Sequence, residues 1–74
     1  MTPQKLDLRG TPCPLNFIRS KLQLEKMSSG ETLEIWLDSG EPIEQVPNSL
    51  KMEGYKMESI TPMDDYFSLL VQSK

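Results

Sequence analysis

The chain has 74 residues, no histidine, a single cysteine, and eleven acidic against eight basic side chains, for a formal net charge of −3. At that length a single domain spanning residues 1–74 is expected, burying only about 60% of the surface its extended chain exposes. One cysteine cannot close an internal disulfide, and without histidine it has no partners for a structural metal site, so ordinary packing must hold the fold.

The excess of acid and the lack of any basic run disfavour phosphate backbones, so direct nucleic-acid binding is not expected. No stretch reaches the roughly 18–20 apolar residues of a membrane span. The start, MTPQKLDL, lacks the basic and apolar segments of a secretory signal. A cytoplasmic protein without membrane association is the expectation.

Leu6 and Leu8 alternate with Lys5, Asp7 and Arg9, the period-2 pattern of a short strand with one buried face, which Gly10 ends. From Pro14 the period lengthens. Leu15, Ile18 and Leu22 recur at i, i+3 and i+7 and predict the inward stripe of an amphipathic helix closed by Ser28-Ser29-Gly30. Residues 32 to 38, TLEIWLD, alternate again, with Leu33, Ile35 and Leu37 on one face and Trp36 on the other.

After Ser39-Gly40, helical spacing returns at Ile43, Val46 and Leu50, with Pro47 predicting a broken or kinked second helix and Gly54 its left-handed cap. Two extended runs, 55–61 and 66–73, flank the turn-forming Pro62-Met63-Asp64-Asp65. Phe67, Leu69 and Val71 mark the inward face of the last strand. The element order βαβαββ predicts an α+β fold, a four-stranded mixed sheet with two helices on one face. Trp36, Tyr66 and Leu70 then fall on the open face, as scattered apolar residues or as a contact surface.

The lone cysteine sits in LDLRGTPCPLN, residues 6–16. Pro14 suits the first helical position, where its missing N–H costs nothing. Cys13 would then be the N-cap, its sulfur near the free N–H groups of Leu15 and Asn16 and at the positive end of the helix dipole, both of which favour thiolate. Pro12 disfavours helix at Thr11, so an earlier start is not expected. Cysteine is a poor structural cap compared with Ser, Thr, Asp or Asn, which points to a functional thiol instead of a core filler. With no histidine to act as a base, activation must come from the helix end and from a nearby cation, for which Arg9 is the candidate, its alternative reading being a solvated strand-end charge.

A solitary thiol also suits one kind of chemistry. With no second cysteine in the chain to act as a resolving thiol, Cys13 can exchange only with the thiol of another molecule. No C-x-x-C couple and no phosphate-binding loop is present.

These residues resemble the TusA/SirA-like sulfur-carrier family. LDLRGTPCP is similar to its signature, an L-D-x-x-G strand end leading into a Cys-Pro-x-Pro motif, and weaker likeness continues through Gly30-Glu31-Thr32-Leu33, Asp38, Val46-Pro47 and Gly54. The resemblance implies a βαβαββ two-layer sandwich and a sulfurtransferase-like carrier that needs no cofactor. It also implies a persulfide on Cys13, loaded by a donor such as a cysteine desulfurase or rhodanese-type enzyme and relayed to an acceptor protein, in some cases toward tRNA thiolation. Carried over by position, Pro14 is the first motif proline, and Asp7, Arg9 and Gly10 are the lead-in.

The second motif proline is replaced here by Asn16, which restores a backbone N–H that could point at the sulfur and keep Cys13 at least as acidic; the loss also bears on what a donor enzyme would recognise. Two other classes fit the same residues, a non-catalytic interaction module of the same fold and a redox-sensing thiol. A monomer is expected.

Overall fold

The computed structural model describes residues 4–12 and 14–74. Its elements are β1 (Gln4–Asp7), α1 (Leu15–Lys26), β2 (Thr32–Asp38), α2 (Glu41–Met52), β3 (Lys56–Pro62) and β4 (Tyr66–Gln72). The four strands lie in the order β1-β2-β4-β3, with β1 parallel to β2 and the other two pairings antiparallel. The expected α+β architecture is therefore present, a mixed sheet with two helices.

The alternation in β2 fixes its facing. Leu33, Ile35 and Leu37 are fully buried and stand opposite Val71, Leu69 and Phe67 of β4. Leu8, Val46, Leu50 and Leu24 close over them, so both helices cover the same face of the sheet in one apolar cluster. The other face carries Glu34, Trp36 and Asp38, opposite Leu70, Ser68 and Tyr66. In β3 the register shifts between Met57 and Ser59, a bulge that takes the strand out of strict alternation.

Two expectations about the helices are corrected. In α1 the stripe Leu15, Ile18 and Leu22 faces outward, at 46%, 43% and 51% exposure, while Asn16, Ser20 and Leu24 are buried, with Met27 just beyond the helix. That stripe has equally good helical spacing, but its first two members are polar and so do not register as core. They are tolerated there in part because the Ser20 hydroxyl donates to the Asn16 carbonyl at 2.9 Å and Asn16 Oδ1 accepts the Phe17 N–H at 2.7 Å.

In α2, expected to be broken or kinked, the break is absent: the helix runs through Pro47, which is buried, as are Val46 and Leu50. Packing on the sheet outweighs the backbone bond that proline forgoes. The end of the helix is as expected. Gly54 adopts φ +96°, and the Tyr55 N–H donates back to the Leu50 carbonyl at 3.1 Å. Among the described residues no helix is long and apolar enough to cross a membrane.

Candidate functional site

The segment between β1 and α1 is built from the sheet outward. Leu8 is buried, and its N–H donates to the Trp36 carbonyl at 3.0 Å, continuing the β1–β2 pairing one residue past the strand. The Thr11 N–H then donates to the Leu8 carbonyl at 3.0 Å, closing a turn over Arg9 and Gly10. Gly10 has φ +79°, a left-handed conformation that a side chain would strain, and its N–H donates to Asp38 Oδ2 at 2.6 Å. Asp38, at the end of β2, thereby ties the turn to the neighbouring strand.

Arg9 is held more elaborately. Its backbone N–H and Nε donate to Asp7 Oδ1 at 3.1 and 3.0 Å, and its Nη2 donates to Oδ2 at 2.8 Å. Its guanidinium lies 4.8 Å from the Trp36 ring centre and 4.7 Å from that of Tyr66; the two rings are 5.2 Å apart. Lys5 Nζ lies 5.2 Å from the Trp36 ring. The Trp36 indole N–H donates to Glu34 at 2.6 Å, and the Ser68 hydroxyl donates to the same oxygen at 3.0 Å.

The electrostatics follow these contacts. The side-chain bonds from Arg9, then its backbone N–H, lower the Asp7 carboxyl to about 2, while the bonds to Asp7 raise Arg9. Hydrogen bonding from Trp36 lowers Glu34. The Arg9 charge is thus directed to Asp7 and two aromatic rings; its expected role as the cation that activates the thiol turns on Cys13, which lies outside the described residues.

At the helix start, Pro14 occupies the capping position with φ −93° and ψ 9°, and α1 begins at Leu15, one residue later than expected. Neither a side-chain cap nor an acidic residue occurs in the first turn. The Asn16 N–H donates to the Pro12 carbonyl at 3.1 Å and the Ile18 N–H to that of Pro14 at 3.1 Å. The Asn16 donor expected to point at the sulfur therefore already has a backbone partner. The Asn16 side chain is wholly buried, and its Nδ2 has no hydrogen-bond partner among the described residues. The N-cap position predicted for Cys13 is taken by Pro14, a correction, and Cys13 itself, the predicted sulfur-bearing residue, lies outside the described residues.

The structure thus gathers Asp7, Arg9 and Gly10 into one turn and shows three contributors that the sequence did not single out for it. Trp36 and Tyr66 were read only as open-face residues and Asp38 only as a weak point of likeness to the family. The signal for Asp38 was its position at the end of the strand that pairs with β1; for the rings it was their shared parity on β2 and β4. No group of three or more acidic, cysteine or histidine side chains that could hold a metal ion occurs among the described residues.

The family model described as sulfurtransferase TusA matches residues 4–73. The chain belongs to the TusA family. Among curated relatives, this TusA-family chain is 39% identical over 70 residues to a candidate sulfur carrier protein of Archaeoglobus fulgidus, covering 93% of this chain and 80% of the relative. A candidate sulfur carrier protein of Neisseria meningitidis serogroup A is 28% identical over 74 residues, covering all of both chains. Among solved structures, a SirA-like protein from Desulfitobacterium hafniense superposes with a TM-score of 0.78 at 18% identity, covering 95% of this chain and 97% of that one. At that identity the likeness establishes the fold.

Proposed function

We propose that this TusA-family protein is a sulfur carrier that holds sulfane sulfur as a persulfide on Cys13. The observation that carries the reading is the family match over residues 4–73, which spans the chain's single cysteine at the point where a strand end leads into a helix. Two features support it. The β1–α1 turn is fastened at Leu8, Gly10 and Thr11, and the first turn of α1 carries no acidic side chain to compete with an anionic sulfur at the helix's positive end.

In the loading step the Cys13 thiolate attacks the terminal sulfur of a donor persulfide. A new sulfur–sulfur bond forms on Cys13, the donor's own sulfur–sulfur bond breaks, and the donor cysteine leaves as a thiolate. Delivery is the same exchange in the other direction, to an acceptor thiol. The donor is a cysteine desulfurase or rhodanese-type enzyme, the acceptor another protein of a sulfur-transfer route such as one leading to tRNA thiolation, and the setting a reducing one such as the cytoplasm. Pro14, Leu15 and Asn16 follow Cys13 in sequence and are the supporting residues of this reading.

Incubation with a cysteine desulfurase and cysteine, followed by intact mass spectrometry under non-reducing conditions, tests the reading. One added sulfur atom is expected on the wild type and none on Cys13→Ser. A wild-type chain that stays at its own mass, or a Cys13→Ser chain that gains sulfur, overturns it.

A further inference from the structure

Resting on the sulfur-carrier reading, we propose that Arg9, Trp36 and Tyr66, together with Asp7 and Asp38, are positioning residues that set the geometry of the turn delivering the chain to Cys13. None of them is required to touch the sulfur.

The contacts converge on three consecutive residues. Leu8 is buried, Arg9 is bound by Asp7 and stacked on both rings, and Gly10 is bound by Asp38, with strands β1, β2 and β4 each supplying a partner. A chain leaving a strand for a helix needs none of this to reach its destination. The fold's apolar cluster includes no member of the Arg9–Trp36–Tyr66 group, and the Arg9 and Asp7 side chains are 41% and 49% exposed. Exposed ion pairs contribute little to global stability. What this arrangement governs is local: how often the turn opens, and in which direction the chain leaves it. Only a planar cation can bind a carboxylate through two donors while laying its face on aromatic rings, so the chemistry specifies arginine at position 9 and not merely a positive charge.

In a carrier, the sulfur must meet a partner's sulfur in line, and displacement of the attacking group by about 1 Å costs up to roughly a hundredfold in rate. A fastened turn supplies that geometry before the partner arrives. Lys at position 9 keeps the charge and loses the fork and the stack; leucine at both 36 and 66 removes the stack and leaves the Arg9–Asp7 pair.

The test measures four quantities on wild type, Arg9→Lys, the double variant Trp36→Leu with Tyr66→Leu, and the ring-conserving Trp36→Phe and Tyr66→Phe. These are the sulfur-loading rate at saturating cysteine desulfurase, the desulfurase concentration for half-maximal rate, the pH profile of Cys13 alkylation by iodoacetamide, and Tm. Arg9→Lys and the double leucine variant are expected to load about tenfold more slowly at saturation. Their alkylation midpoints should move to higher pH, as the direction in which the chain leaves the turn toward Cys13 is no longer fixed. Trp36→Phe and Tyr66→Phe should load within about twofold of wild type.

The proposal is overturned if both disruptive variants load and alkylate like wild type, whatever their Tm, or if Arg9→Lys alone is slow while the double leucine variant is not. Failure of the sulfur-carrier reading looks different, since wild type then takes up no sulfur while the alkylation profiles still report on the turn.

Discussion

The orientation of α1 makes a prediction that separates two leucines two residues apart. Leu24 is 2% exposed and belongs to the core cluster, whereas Leu22 is 51% exposed. Truncating leucine to alanine deletes about three methylene equivalents at about 0.8 kcal/mol each, or about 2.4 kcal/mol of transfer free energy when the side chain is fully buried. A cavity that collapses only in part adds to this, placing Leu24→Ala within the roughly 2–5 kcal/mol seen for such core truncations. For Leu22 half of the transfer free energy is already forgone to solvent, leaving about 1 kcal/mol, and the better helix propensity of alanine offsets a few tenths of that. In a domain of this size each kcal/mol moves Tm by about 4–8 °C. Thermal unfolding followed by circular dichroism should therefore show a fall on the order of 10–20 °C for Leu24→Ala and of a few degrees for Leu22→Ala. Equal losses, or a larger loss at Leu22, would refute the facing of α1 and restore the stripe Leu15–Ile18–Leu22 as its inward side.

Three further outcomes are expected. Gly54→Ala, at φ +96° with the new methyl 3.1 Å from the flexible end of Lys74, should lower stability by about 1–2 kcal/mol in urea titration, because the cost lies in the backbone conformation. In acid, the Asp7 carboxyl titrates near 2 in the folded protein against an ordinary value of 3.8. The Arg9–Asp7 contribution is thus complete above the ordinary value and is lost as pH falls through the folded one, so the emission of Trp36, the sole tryptophan, should respond to this pair only below about pH 4. In alkali the sign reverses: burial raises the Tyr55 hydroxyl above its ordinary 10.0, so its contribution is intact below that value and declines as pH rises past it, which denaturation midpoints on either side of pH 10 should show and Tyr55→Phe should abolish.

How much was legible from sequence varied with the kind of pattern. The strands were the clearest, because alternation in 32–38 and 66–72 allows only one facing once a single side of the sheet is covered. Position 54 was equally clear, since a glycine after a helical run has a specific backbone reason to be there. Helix α1 was misread because apolarity alone ranked Leu15, Ile18 and Leu22 above Asn16 and Ser20. Both stripes have helical spacing, and a helix offers no parity rule to choose between them. Pro47 misled in the opposite direction, since its local cost was visible in the sequence and the packing that outweighs it was not.

The site divides along the same line. The residues adjacent in sequence, Asp7, Arg9, Gly10 and the Cys-Pro pair at 13 and 14, could be named from the chain, because motif and composition are local properties. The partners of that segment could not. Asp38 lies 28 residues from Gly10 along the chain, and Tyr66 meets Arg9 only because β4 pairs with β2. Sequence by itself determined the order of elements, the faces of the strands and the position of the reactive residue type, all of which follow from local periodicity and side-chain chemistry. Tertiary structure alone decided which side of α1 is inside and which groups fasten the turn before Cys13, because both depend on what strand pairing brings together from distant parts of the chain.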